Sequence, residues 1–122
     1  MSQVVTPQQI ESRLYVLSKE VDEAHQGLVE AERDFHLGTA QYEIAMARSR
    51  ITFASKSSPT GKNYTVGERE DMAIIENSNL HFQIATVEAQ VKAARANVQR
   101  LKTQVEIARS MSASVRSSME LS

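Results

Sequence analysis

From Ile10 onward, apolar and small residues recur at alternating spacings of four and three: Ile10, Leu14, Leu17, Val21, Ala24, Leu28, Ala31, Phe35, Gly38, Tyr42 and Ala45. This is a heptad seam sustained over about five repeats, which predicts one long helix with a single buried stripe. Thr6-Pro7-Gln8-Gln9 supplies its start. Thr6 can cap, Pro7 suits a first helical position that needs no N–H, and Gln9 sits where a capping-box partner reaches back. Near Gly38 a second apolar stripe opens beside the first, through Leu37, Ala40, Ile44, Ala47, Ile51 and Ala54.

Ser55 to Tyr64 gathers Ser, Pro, Gly and Asn and ends this helix. Thr65-Val66-Gly67-Glu68 reads as a capping box, with Glu68, Glu70 and Asp71 where the helix dipole favours anions. A second seam follows: Leu80, Ile84, Val87, Val91, Ala94, Val98, Leu101, Val105, Ala108, Ser112, Val115 and Met119. The expected layout is a tail over 1–6, helix one over 7–54, a polar basic loop over 55–65 and helix two over 66–119. Two such seams joined by a short loop predict an all-α, coiled-coil-like antiparallel hairpin in one domain, with residue i opposite about 120 − i. A parallel dimer whose seams never fold back satisfies the same pattern. Apolar residues near the loop end exceed what two helices can cover. Ile44, Ile51, Met72, Ile75 and Phe82 are therefore expected to mediate homo-oligomer formation, with Leu37, Met46 and Phe53 also in surplus.

Composition narrows the class. The 122 residues include no Cys, no Trp, two Pro and four Gly. That excludes disulfides and thiolate metal sites, and it argues against an all-β fold. No run approaches the ~20 apolar residues of a membrane span. The first residues lack a signal-peptide layout, so a cytoplasmic protein is expected.

The net charge of −1 hides segregation. Residues 7–47 carry three cations against eight acids. Residues 48–67 carry Arg48, Arg50, Lys56 and Lys62 and no acid. Residues 91–118 carry six cations against Glu106 alone. Within that last segment Arg95, Lys102, Arg109 and Arg116 recur every seventh residue and share one helical line. Such a line can track phosphates, or it can form surface ion pairs of small energetic weight, with Glu11 opposite one cation. Arg48-Ser49-Arg50-Ile51-Thr52-Phe53 joins two Arg to an aromatic at a helix end, beside Lys56, Lys62 and Tyr64. Arg suits phosphate and an exposed ring suits an unpaired base, so the pattern fits a single strand. Phe53 as a core residue beside solubilising cations is the competing reading.

Catalytic chemistry finds no foothold. His25, His36 and His81 have no metal-ligand spacing, no phosphate-binding Gly loop occurs, and Glu68-Arg69-Glu70-Asp71 is accounted for as a helix start. A non-enzyme without cofactor or metal is expected.

The Arg48-Ser49-Arg50-Ile51-Thr52-Phe53-Ala54-Ser55 element, followed by the polar Ser57–Gly61 loop, resembles the basic-x-basic-x-x-aromatic element of the UvsY family of phage recombination mediators. Thr65 to Glu70, Arg109-Ser110 and Val115-Arg116 are also similar to stretches of small phage proteins. The resemblance implies an all-helical oligomer that binds single-stranded DNA through Arg48 and Arg50, with Phe53 as a stacking partner. It further implies loading of a RecA-type recombinase onto DNA coated by a single-strand-binding protein, in a phage-infected cell. The alternative is a coiled-coil scaffold or adaptor with protein partners only.

Overall fold

A computed structural model describes residues 5–121. The described chain is all-helical, apart from one isolated bridge in a turn: α1 spans Pro7–Ser55, α2 Val66–Glu76 and α3 Ser78–Leu121. Residues 1–4 of the expected tail lie outside the described residues. No helix among the described residues is long and apolar enough to cross a membrane.

The two helix starts form as their sequences dictate. The Thr6 N–H donates to Gln9 Oε1 at 2.9 Å, and the Gln9 N–H donates to Thr6 Oγ1 at 3.2 Å. Thr65 and Glu68 exchange the same pair of bonds at 3.2 Å each. Each box satisfies donors that the first helical turn leaves without a carbonyl.

The chain packs as two units. In the first, residues 5–30 of α1 and its approach lie against residues 92–121 of α3. Leu17, Leu101 and Ala108 are buried there, with Leu14, Val21, Ala24 and Val105 packed around them. Arg13 Nη2 donates to Gln104 Oε1 at 3.4 Å on one flank. The pairing runs antiparallel, with Arg13 beside Gln104, three residues before the expected position 107.

The second unit, residues 31–91, contains the end of α1, the turn, α2 and the start of α3. Gly38 faces Ile84, and the Tyr42 and His81 rings lie 5.7 Å apart. Ala73 of α2 is fully buried, so α2 packs through its smallest side chain and approaches closely. Met46 and Phe53, read from sequence as surplus apolar residues, are buried in this unit at 4 % and 8 % exposure. The Tyr64 ring and Lys56 stand against Phe53, and Asn77 Nδ2 lies 3.9 Å from Met46 Sδ.

The expected uninterrupted second helix is broken at Asn77. Its side-chain Nδ2 donates to the Ala73 carbonyl at 2.8 Å and to the buried Ser49 Oγ at 2.9 Å. Asn77 occupies a seam position of the continued heptad, where its amide competes for backbone groups and ends α2. The Asn77 carbonyl then accepts the His81 N–H at 3.0 Å, so α3 resumes at once. Helix one ends at Ser55 and the last helix runs to Leu121, each within two residues of expectation.

Candidate nucleic-acid interface

The loop between α1 and α2 closes on itself. The Gly61 N–H donates to the Ser58 carbonyl at 2.9 Å, and the Ser58 N–H donates to the Lys62 carbonyl at 2.8 Å. Pro59 presets the second turn position, and Gly61 takes the left-handed φ of 81° that completes the turn. Ser57 and Asn63 bridge at its base. The loop is a built turn, and it fixes the direction in which Tyr64 returns to the helices.

That return decides the fate of the Arg48–Phe53 element. The Phe53 ring meets the Tyr64 ring edge-on at 5.5 Å, and Lys56 Nζ stands 5.3 Å from the Phe53 centroid. With only 8 % exposed, Phe53 has both rim and face occupied by its own chain. This placement agrees with the competing reading of Phe53 as a core residue, and a base would reach the ring only by displacing Tyr64 and Lys56. Lys56 is engaged with that ring as a cation–π partner.

Arg50 is also committed. Its Nε and Nη2 donate to Glu70 Oε2 and Oε1 at 2.7 and 2.8 Å, a bidentate fork. Hydrogen bonding to Arg50 holds the Glu70 carboxyl below its usual range, partly offset by desolvation, and raises the Arg50 guanidinium in turn. Both side chains remain nearly half exposed, so solvent screens the pair. Glu70, read from sequence only as a helix-start anion, is thus the ligand of a candidate phosphate contact. Arg48, two residues from Arg50, points to a different side of α1, so the two Arg form no common clamp. Arg48 and Lys62 are exposed.

The sign of the Glu70 shift makes a prediction. Its folded value lies below its unfolded value, so the pair stabilises the fold above the ordinary carboxylate range. That stability disappears as pH falls through the lowered folded value. Thermal unfolding followed from neutral pH to about pH 3 should show a steeper loss for the wild-type chain than for Glu70→Gln. Parallel curves would show that the fork contributes nothing to stability.

The second basic zone keeps its order. Arg95, Lys102, Arg109 and Arg116 all lie exposed along one line of α3, spanning about 30 Å at 1.5 Å per residue. Arg95 has interactions of its own within the chain. Lys102, Arg109 and Arg116 form no ion pair within the described chain, and Glu11 neutralises none of them. Glu106, four residues after Lys102 and three before Arg109, also pairs with neither. In the same unit, on α1, the Tyr15 ring is 64 % exposed with Lys19 Nζ 5.2 Å from its centroid.

Of the residues expected to mediate assembly, Ile44, Ile51, Ile75 and Phe82 are each more than half exposed, and Met72 is half-buried. Among the described residues, no group of three or more His, Cys, Asp or Glu is placed to hold a metal ion. No known protein family, curated protein or solved structure matches this chain.

Proposed function

We propose that this protein binds single-stranded DNA along the Arg95–Lys102–Arg109–Arg116 line of α3 and acts as a recombination mediator. The observation that carries the reading is a line of exposed cations, three of them without an ion pair in the described chain. Unpaired, regularly spaced cations suit a backbone of phosphates, because each contact releases a condensed counterion. A straight line about 30 Å long fits a flexible strand, whose phosphates can adjust to the spacing. The resemblance of the Arg48–Phe53 element to phage recombination mediators supplies the biological role: helping a RecA-type recombinase replace a single-strand-binding protein on DNA. In an assembly, several weak cation lines act together and gain strength by effective concentration.

A scaffold with protein partners only is the second reading, favoured by the exposed Leu37, Ile44 and Ile51. Fluorescence anisotropy with a labelled single-stranded oligonucleotide separates the two. Four phosphate contacts give a slope of log affinity on log salt near −2.8, or about a 50-fold loss between 50 and 200 mM. Absence of binding at low salt would leave the scaffold reading. Tighter binding to duplex than to single strand would remove the mediator role.

A further inference from the structure

Leu37, Ala40, Ile44, Ala47, Ile51 and Ala54 are all exposed on α1. Their spacing of three and four is that of a heptad seam, and it lies on the opposite side of α1 from Gly38, Tyr42 and Ala45. The seam also alternates in size. Every first position is Leu or Ile, and every second is Ala.

We propose that this seam docks on the same seam of a second copy, antiparallel, about a two-fold axis between Ile44 and Ala47. In this register Leu37 meets Ala54, Ala40 meets Ile51, and Ile44 meets Ala47. Every layer then pairs one large side chain with one small one, and the two backbones approach evenly along the contact. A parallel pairing stacks Leu and Ile on their own kind and leaves the Ala layers underfilled, which forfeits contact. The flanks agree with the antiparallel register. Glu43 of one copy comes beside Arg50 of the other, and Arg48 beside Gln41, with no like charges opposed. Arg50 can serve both acids, because its fork to Glu70 uses Nε and Nη2 and leaves the two Nη1 donors. The same surface on both copies makes the contact isologous and closed.

This inference needs no nucleic acid, so its test is independent of the DNA-binding reading. Sedimentation of the full chain, without DNA, is expected to show self-association at micromolar concentration. Ile44→Lys should weaken it by at least about tenfold, because both copies lose a buried Ile. Ala47→Leu should also weaken it, since the added bulk has no space in a large-on-small layer. Both positions are exposed in the single chain, so helix content by circular dichroism should be unchanged. The chain has no Cys, which permits a direct check of direction. A mixture of Leu37→Cys and Ala54→Cys proteins should form a mixed disulfide dimer, while neither alone should cross-link. A monomer at high micromolar concentration, stronger association on Ala47→Leu, or cross-linking of each variant with itself would overturn the proposal.

Discussion

Replacing Lys102, Arg109 and Arg116 together by Gln should weaken single-stranded DNA binding about 500-fold at 50 mM salt and about 30-fold at 200 mM. Both figures follow from one cause. Each phosphate contact on a single strand contributes about 0.7 to the slope of log affinity on log salt, so losing three removes about 2.1. The slope should therefore fall from near −2.8 to near −0.7. The three side chains are exposed and unpaired within the described chain, and Gln has similar helix propensity, so folding should not change. Arg95 is left in place because it has interactions of its own, and its loss would mix two effects. The comparison that decides the location is Arg48→Gln with Lys62→Gln, which should reduce the slope by less than the triple variant does. If the triple variant keeps the wild-type slope, the α3 line is a solvated face and the strand binds elsewhere or not at all. Measuring the slope guards against a trivial loss of protein, because inactive molecules lower the apparent affinity without altering its salt dependence.

The sequence made the helices legible because two independent signals agreed. Heptad spacing marked the buried stripe of α1 from Ile10 to Ala45, and these residues are buried or half-buried throughout. The capping boxes at Thr6 and Thr65 fixed where the helices start, since the residues that satisfy the free N–H groups are local in sequence. The break at Asn77 escaped because a single polar residue in a seam does not stop a helix by itself. Asn77 ends α2 because Ser49, twenty-eight positions earlier, offers its hydroxyl at 2.9 Å. The polar run Asn77-Ser78-Asn79 was the available hint, as these residues favour caps over helix interiors. The candidate site was legible only where it depended on one helix. Spacing alone placed the α3 cations on one line. The Arg48–Phe53 element depended on what returned across the loop, and Glu70 and Tyr64 came back to occupy Arg50 and Phe53. Their arrival is set by the Ser58–Gly61 turn and the close packing of Ala73, neither of which a charge count or a motif contains.

Phe53→Ala should lower stability by about 3 kcal/mol while leaving DNA affinity per folded molecule unchanged. The stability loss follows from burial. The ring is 8 % exposed, packs edge-on against Tyr64, and carries Lys56 over its face. Truncation removes these contacts and opens a cavity that the fixed turn cannot readily collapse into. Urea unfolding followed by circular dichroism measures the loss, and active-site titration with excess oligonucleotide measures the fraction still competent to bind. Phe53→Leu separates the two roles assigned to this residue by packing and by motif. Leu fills much of the same volume, so most of the stability should return, but it offers no aromatic face to a base. A core role requires Phe53→Leu to bind DNA as the wild type does. A stacking role requires it to fold well and still lose affinity, which base-aromatic stacking sets at about 1–3 kcal/mol, or roughly five- to 150-fold. The arrangement of Tyr64 and Lys56 around the ring favours the first outcome, because a base could reach Phe53 only after both had been displaced. Any aromatic contribution to strand binding is then expected from a ring that stands in solvent, and Tyr15, 64 % exposed in the same unit as the α3 cations, meets that requirement.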